Sequence, residues 1–231
     1  MPSRRGRGAV VRDDVPITVE GGSRRQEVLD CAVKLFAERG FDGTSINDIA
    51  ERTTLKKPSL YHYFPSKQHI LVAVLEDEMS ALWVRAQEIA QIADPMERIR
   101  GLLAAHLSNF RRKLPQIRVF LLERTKIDAK LASRYLEQRR LYDALYVDTI
   151  REGQQAGIFR ADDPVVLAYA VLGIVNWMVQ WYDPRGRLSL DEVTTILQQC
   201  AVGALSAAVP PGGGITPSGN GRTTRRRSTA R

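Results

Sequence analysis

Between residues 23 and 209, apolar side chains recur at helical spacing, and this periodicity most constrains the fold. In the last such run, apolar residues stand at the i, i+3, i+4 and i+7 positions that share one face of a helix. That run comprises Val193, Ile196, Leu197, Cys200, Ala201, Ala204 and Leu205. No convincing strand pattern and no internal repeat interrupts the periodicity. The sequence therefore predicts an all-α chain.

Capping residues and glycine divide the periodic region into separate helices. The first helix is expected to begin at a capping box of Ser23 and Gln26 and to end at Gly40. Later helices are expected to open at Ser66 and at Asp94, each of which has a side-chain oxygen able to accept a first-turn N–H. These signals predict several helices rather than one long one.

Composition divides the chain into four parts. Residues 1–22 mix Arg, Gly, Asp and Pro without periodicity and are predicted to form a flexible basic arm. Residues 23–69 contain the first short helices, and residues 70–209 form a larger helical domain. Residues 210–231 hold a single large aliphatic side chain, so they cannot bury enough surface to offset their ordering entropy. A disordered basic tail is expected there.

The basic excess lies outside the large domain. The formal net charge is +8, whereas residues 70–209 contain 17 basic and 17 acidic side chains. A basic end on a neutral body predicts a polyanionic partner for that end, and nucleic acid is the first candidate. No apolar run approaches the ~20 residues of a membrane span, and no apolar stretch follows the N-terminal arginines. A cytoplasmic protein is expected, with no membrane contact.

The short helices of residues 23–69 are spaced as in a helix-turn-helix module. In such a module the second helix crosses the DNA backbone and the third enters the major groove. The second helix is predicted to start at Thr44 or Ser45, and the third, entered through Pro58, to run to about Tyr63. Basic side chains on a short exposed helix are more often only a solvated surface. The charges alone therefore leave both interpretations open.

Residues 35–67, LFAERGFDGTSINDIAERTTLKKPSLYHYFPSK, resemble the N-terminal signature of the TetR family of bacterial transcriptional regulators. The resemblance covers roughly residues 23–72. It implies a three-helix DNA-binding domain followed by a helical ligand-binding and dimerisation domain. The chain departs from the family at Thr54, where glycine is usual in the turn between the second and third helices. A β-branched residue adopts positive φ poorly, so the third helix is expected to be slightly re-aimed.

The resemblance implies DNA contacts near both ends of this module. Phosphate contacts are expected from Thr44, Tyr61, His62 and Lys67, and contacts at or near base edges from Lys56, Lys57, Pro58 and Ser59. Independently of the resemblance, the Ser45 hydroxyl at the start of the second helix is a further candidate for phosphate. Tyr63 either joins them or packs against the neighbouring helix. Lysine donates to guanine O6 and N7, and proline makes apolar contact with a thymine methyl. Leu60 and Phe64 are predicted to pack inward.

The resemblance further implies a homodimer, because two recognition helices related by a two-fold axis read an inverted repeat. The helices near 164–181 and 189–207 are the candidate dimer surface. The first is apolar on several sides, and such a helix must be covered on several sides. The alternative is that both helices complete the core of a monomer. Repression is the family's common behaviour.

The segment 176–188, NWMVQWYDPRGRL, is similar to the corresponding region of TetR-type regulators of lipid and sterol catabolism. Several of those respond to acyl-coenzyme A thioesters. Such a ligand needs an apolar tunnel and basic groups for its phosphates. The tunnel candidates are Phe110, Phe120, Tyr142, Trp177 and Trp181, and the phosphate candidates are Arg139, Arg140, Arg185 and Arg187. The alternative is that the aromatics are core and the arginines solvated.

Two other classes of function stay open. The sequence has no nucleophile elbow, phosphate-binding glycine loop or metal-ligand spacing, so neither an enzyme nor a cofactor or metal is predicted. A helix-turn-helix protein that binds another protein without reading DNA is the second alternative, which Thr54 keeps open. His106 is expected to be a hydrogen-bonded core histidine. Cys31 and Cys200 lie on apolar faces and are expected to be buried and inert.

Overall fold

Helices make up most of the chain that the structure, a computed structural model, describes, namely residues 19–53 and 55–206. Within these ranges there is no strand, and Phe159 and Ser206 form an isolated antiparallel bridge. The all-α prediction is confirmed. The helices are α1 (Val19–Arg39), α2 (Ile46–Arg52), α3 (Lys57–Tyr63), α4 (Lys67–Ile89), α5 (Pro95–Glu123), α6 (Ser133–Gln155), α7 (Pro164–Asn176), α8 (Met178–Trp181) and α9 (Leu190–Leu205), with a 3-10 turn at Arg124–Lys126.

Several helix boundaries follow the predicted signals. Gly40 ends α1 with a φ of +74°, a conformation that side chains with a Cβ rarely adopt. Ser66 caps α4 by accepting the His69 N–H. The Asp94 carboxylate caps α5 by accepting the N–H groups of Met96 and Glu97.

The start of the first helix was predicted wrongly. α1 begins at Val19, so Ser23 lies inside the helix rather than at its cap, and residues 19–22 of the predicted arm are helical. The remaining arm residues, the tail 210–231 and Thr54 lie outside the described residues. The expectations of a flexible arm, a disordered tail and an altered turn therefore stay predictions.

Helix α5 is kinked near its middle. Lys113 has non-helical backbone angles, φ −141° and ψ 41°, and Pro115 follows two residues later. Proline lacks the N–H that would continue the helical ladder, and its ring clashes with the carbonyl four residues earlier. The kink gives the last three turns of α5 a direction of their own, and these turns end at Glu123.

Helix α4 joins the two parts of the molecule. It begins at Lys67, beside the short helices, and packs against α1, α5 and α6. Its buried side includes Ile70, Leu71 and Leu75, all at 0% exposure. The predicted domain boundary at residue 69 therefore falls within the first turn of a continuous helix. A shift of either part relative to the other must bend or move α4.

The segment Pro164–Trp181 has the length and composition of a membrane-spanning helix, with 18 residues and a mean hydropathy of 1.5. The prediction that no apolar run approaches this length was therefore wrong, because it considered only uninterrupted apolar residues. The helix breaks after Asn176, and 39% of the segment is buried inside the chain. α7 packs against α6 and α9, with Val171 and Val175 fully buried.

Candidate nucleic-acid interface and ligand cavity

Helix α3 presents a polar surface on the side away from the core. Leu60 and Phe64, four residues apart, are 0% and 4% exposed and anchor the helix, which confirms their predicted inward position. The exposed side chains are Lys56, Lys57, Pro58, Ser59, Tyr61 and His62. The structure thus places six of the ten predicted DNA-contact residues together on one helix and its N-cap.

Ser45 and Tyr63 both make contacts inside the domain formed by α1, α2 and α3. Tyr63 is half-buried and packs against the core, the second of its two predicted positions. The Ser45 hydroxyl caps α2 by accepting the Asp48 N–H at 3.2 Å, and the Asp48 carboxylate accepts the Ser45 N–H at 2.7 Å. Hydrogen bonds from Ser45 lower the pKa of Asp48. A carboxylate therefore occupies the first turn of α2, where a phosphate was expected.

Thr44 faces the interior rather than the DNA. Its side chain is 1% exposed, and its hydroxyl donates to the carbonyl oxygens of Gly40 at 2.9 Å and Leu35 at 3.3 Å. A buried hydroxyl needs such partners, because leaving it unpaired costs free energy. The predicted phosphate contact of the Thr44 side chain is therefore wrong. Its role is to shape the segment 40–45 that joins α1 to α2, called here the α1–α2 loop.

Lys67 binds the same loop from the side of α4. Its Nζ donates to the carbonyl oxygens of Phe41 at 2.6 Å and Thr44 at 2.7 Å, and lies 4.2 Å from the centroid of the Phe41 ring. An ammonium group has three N–H donors, so two are already used inside the protein. The charge of Lys67 lies close to the start of α2, but the side chain mainly holds the α1–α2 loop through these hydrogen bonds.

A cavity of about 290 Å³ lies between the end of α5, α6 and α7, and it is called here the outer cavity. Apolar and polar side chains share its wall: Leu121, Leu122, Leu172, Trp177 and Val179 on one hand, and Arg124, Arg139, Asp143, Asn176 and Gln180 on the other. A concave site that combines apolar walls with convergent polar groups is a usual form of a small-molecule site. The outer cavity is therefore the candidate ligand site.

The charges at the outer cavity favour an anion. Arg124 and Arg139 line it together with one carboxylate, Asp143, whose Oδ2 lies 3.9 Å from the Nε of Arg139. Burial raises the pKa of Asp143 although both arginines oppose this. Burial and the neighbouring Arg139 lower the pKa of Arg124. Two guanidinium groups facing one carboxylate leave a positive balance, which suits a carboxylate or phosphate ligand.

A second void of about 20 Å³, the inner cavity, shares Leu121 and Asn176 with the outer one. A void of this size holds about one water molecule. A buried polar chain runs beside it: the His106 Nε2–H donates to Asn176 Oδ1 at 2.8 Å, and the Tyr142 hydroxyl donates to His106 Nδ1 at 3.0 Å. Tyr146 donates to Tyr142 in turn, at 3.1 Å. The predicted hydrogen-bonded core position of His106 is confirmed.

The predicted ligand residues separate into four groups. Arg139 and Trp177 line the outer cavity, and Phe110 and Phe120 line the inner one. Tyr142 is buried in the hydrogen-bonded chain. Trp181, Arg185 and Arg187 are exposed and line neither cavity, with Arg185 paired to Asp183. Arg140 is exposed and paired with Glu137, and with Arg139 it lines a neighbouring surface groove. Placing these four in one pocket was therefore wrong.

Sequence reasoning missed Arg124 and Asn176. Arg124 reaches the outer cavity because a 3-10 turn follows α5 directly, and no spacing signal marks that turn. Asn176 was identifiable only as the last residue of an otherwise apolar helix.

The buried His106 is expected to make stability depend on pH. Burial lowers its pKa below the ordinary value of about 6.5, so the native state stays neutral where the unfolded chain takes up a proton. Below pH 6.5 the free energy of unfolding should therefore fall, by up to about 1.4 kcal/mol per pH unit. Urea unfolding between pH 7.5 and 5.5 measures this slope. In His106→Gln the slope should be smaller by the contribution of one proton. An unchanged slope would show that other groups cause the pH dependence.

An apolar face is exposed on the single chain along α7 and α9. On α7, Val166, Tyr169 and Trp177 are 65%, 55% and 65% exposed, and on α9 Ile196 is 46% exposed. Cys200, one turn beyond Ile196, is also exposed, so its predicted burial within the chain is wrong, whereas Cys31 is buried as predicted. We call this the α7–α9 face.

Comparison with known proteins agrees with these features along most of the chain. Residues 28–74 match the family described as bacterial regulatory proteins, tetR family, and residues 93–205 match the tetracyclin repressor-like, C-terminal domain. The chain is 32% identical over 174 residues to the HTH-type transcriptional repressor KstR2 of Mycobacterium tuberculosis (strain ATCC 25618 / H37Rv). That alignment covers 74% of this chain and 87% of the relative.

Two solved structures show the same fold. The ketosteroid transcriptional regulator KstR2 of Mycobacterium tuberculosis superposes with a TM-score of 0.71 at 28% identity, over 79% of this chain and 95% of that one. AibR in complex with isovaleryl coenzyme A and operator DNA gives a TM-score of 0.71 at 26% identity, over 80% and 98%. The chain therefore belongs to the TetR family of DNA-binding transcriptional regulators and is not an enzyme.

Proposed function

We propose that this regulator is a cytoplasmic homodimeric repressor that reads an inverted-repeat operator. It releases the operator when an anionic, amphiphilic ligand of the acyl-coenzyme A class enters the outer cavity. The observation that carries the proposal is the presence, in one chain, of an exposed polar α3 and an uncovered apolar α7–α9 face. In a single chain that face would be exposed to water. In two copies related by a two-fold axis, the α7–α9 face of each copy covers that of the other.

A small residue on the α7–α9 face supports the dimer. Gly173 on α7 and Gly203 on α9 have no described atom within 4 Å of the place where a Cβ would stand. Gly173 lines the outer cavity, so its open side belongs to that cavity, whereas Gly203 lies seven residues from the exposed Ile196 and shares that side of α9. Glycine there lets a partner's helix approach closely. The homodimer would then place two copies of α3 side by side.

In the complex, α3 would enter the major groove. Lys56 and Lys57 would donate to guanine acceptors or to phosphates, Pro58 and Ser59 would lie near base edges, and Tyr61 and His62 would donate to phosphates. Lys67 and Ser45 would act mainly by fixing the start of α2 against the backbone. A chain that kept the module but bound only proteins would show no preference among DNA sequences.

Selection of bound duplexes from a random DNA library at about 150 mM salt, followed by sequencing, tests the operator proposal. An inverted repeat with two equal half-sites is the expected result. Enrichment of no sequence, with binding that vanishes as salt rises, would leave the basic ends as the only source of affinity. Enrichment of a single half-site would contradict the dimer.

The outer cavity supports a ligand with an acidic head and an apolar body. Arg124 and Arg139 would bind phosphate or carboxylate oxygens, while Leu121, Leu122 and Leu172 would contact an acyl chain or ring system. A related structure holds isovaleryl coenzyme A together with operator DNA, and another relative is a ketosteroid regulator. Isovaleryl coenzyme A combines an apolar acyl group with anionic phosphates, which suits apolar walls beside positive charge.

Replacement of Arg139 is expected to weaken binding of such a ligand. Isothermal titration with acyl-coenzyme A thioesters of graded size, with free coenzyme A alongside, should show heat for at least one thioester. Arg139→Met should lower that affinity at least about tenfold, the value of one charge-assisted hydrogen bond. Arg100→Met is the matched control, because Arg100 is exposed, paired with Glu97 and away from the cavity. Equal effects of both variants would contradict the assignment, and no heat from any thioester would remove the ligand class.

A further inference from the structure

The last turn of α5 has two faces with different partners. Leu121, Leu122 and Arg124 line the outer cavity. Glu123, which stands between them in sequence, is 8% exposed, and its Oε1 accepts the backbone N–H of Phe41 at 3.1 Å. One helical turn therefore contacts the candidate ligand site on one side and the α1–α2 loop on the other.

The hydrogen bond to Phe41 is a long-range contact at a tight place. Glu123 and Phe41 are 82 residues apart in the chain. A Cβ at Gly40 would stand 3.6 Å from the same Oε1, so the carboxylate lies against the loop backbone. A carboxylate makes a stronger hydrogen bond to an N–H than a neutral acceptor does, and burial strengthens the bond further.

Lys126 extends this contact to the next residue of the loop. Its Nζ lies 3.0 Å from Glu123 Oε2 and 2.6 Å from Asp42 Oδ2, so one ammonium group joins α5 to the loop. These two carboxylates raise the pKa of Lys126, and Lys126 lowers the pKa of Asp42. Lys126 and Asp42 are therefore charged at neutral pH, and their contact is ionic as well as hydrogen-bonded.

The turn that carries Lys126 is also fixed to the start of α4. Gln68 donates from Nε2 to the Lys126 carbonyl at 2.9 Å, and its Oε1 accepts the Asp128 N–H at 3.3 Å. On the opposite side of the loop, Lys67 holds the carbonyls of Phe41 and Thr44. The α1–α2 loop, which leads directly into α2, is thus held by α4 and by the end of α5 together.

We propose that Glu123 and Lys126 form a latch that holds the α1–α2 loop and sets the position of α2 and α3 for operator binding. Both are positioning residues and do not touch DNA. A ligand that displaces Leu121 or Leu122 moves the turn that carries Glu123, which opens the latch and lowers operator affinity. This inference rests on the proposed function, because it assigns the regulation of the same DNA surface to residues of the ligand domain.

Three substitutions test the latch without any ligand. Glu123→Leu removes both the hydrogen bond and the ion pair, Glu123→Gln keeps the acceptor for the Phe41 N–H, and Lys126→Met keeps the carboxylate. Glu137→Gln is the control, because it removes an exposed carboxylate of the same domain and changes the net charge as Glu123→Gln does. Operator affinity and amide hydrogen exchange are measured on the full chain.

Operator affinity should fall at least about tenfold in Glu123→Leu and about threefold in Glu123→Gln and Lys126→Met, and stay within about twofold in Glu137→Gln. Affinity for non-specific DNA should stay within about twofold in all four, because it depends on the cations that contact phosphates, and none of the four substitutions changes such a residue. The Phe41 amide should exchange faster in Glu123→Leu than in Glu123→Gln, while the Ile150 amide of α6 keeps its wild-type rate. A merely structural role would accelerate both amides.

Wild-type operator affinity in a folded Glu123→Leu protein would overturn the latch. So would faster exchange at Phe41 and Ile150 alike. If Glu123→Leu fails to fold, Glu123→Gln and Lys126→Met decide, and affinities within twofold of wild type in both would overturn it. If the wild-type chain selects no duplex, the proposed function fails instead. The exchange rate of the Phe41 amide in the Glu123 variants then decides on its own whether Glu123 holds the loop.

Discussion

Replacing Val166 and Ile196 together by glutamate is expected to give a folded monomer that has lost operator binding. Both side chains are exposed on the single chain, at 65% and 46%, so the change leaves the core intact. In a dimer across the α7–α9 face, the two copies would bring four carboxylates into an apolar interface. Each buried and unpaired carboxylate costs several kcal/mol, so the dimer dissociation constant should rise at least about a thousandfold.

Sedimentation equilibrium measures the mass, and the operator affinity is measured on the same samples. A monomer reads only one half-site, so operator affinity should fall at least about a hundredfold. Val84→Glu is the matched control: Val84 is 57% exposed but lies on α4, away from this face. A dimeric double variant, or a monomeric wild type that binds the full operator, would contradict the assignment of the interface.

Lys57→Ala is expected to abolish most sequence discrimination. Lys57 is exposed in the first turn of α3, and a dimer would lose its contact in both half-sites at once. One specific base contact contributes about 1–3 kcal/mol, so loss of two should weaken operator binding at least about thirtyfold. Non-specific binding should weaken only by the loss of one charge per chain.

Fluorescence anisotropy with operator and scrambled duplexes separates the two effects. The control is Lys130→Ala, which removes an exposed lysine from the connection between the 3-10 turn and α6. If Lys57→Ala lowers both affinities by the same factor, Lys57 contacts phosphate and reads no base. If neither affinity changes, α3 is not the element that contacts DNA.

Features decided by neighbouring residues were predictable from the sequence. Gly40 ends α1, Asp94 caps α5, and Leu60 and Phe64 anchor α3, because a cap, a positive φ or a four-residue spacing involves only a few consecutive positions. The resemblance over residues 35–67 predicted that these helices form one DNA-binding domain. The family assignment follows from that string and is confirmed by the comparisons.

Features decided by distant residues were not predictable. Thr44 and Lys67 have the residue types of phosphate ligands, but the fold brings backbone carbonyls to both of them. Lys67 and Phe41 are 26 residues apart, and Glu123 and Phe41 are 82 apart. Helical periodicity does not predict such pairs, because it carries no information on how one helix packs against another.

The ligand residues show the same division. Arg139 is on the cavity side of α6, whereas the adjacent Arg140, one helical step of about 100° further, is exposed. Only the packed position of α6 decides which of the two faces the cavity. Cys200 is a related case: an apolar helical face predicts burial, but this residue is exposed on the single chain.

If two copies of α3 read two halves of one operator, both halves must contribute to the affinity. The most direct measurement is the affinity for the selected duplex and for the same duplex with one half-site scrambled, at about 150 mM salt. We expect tight binding of the intact repeat and an affinity at least about a hundredfold lower after scrambling either half. Equal affinity for the intact and the half-scrambled duplex would contradict a dimeric reader of an inverted repeat.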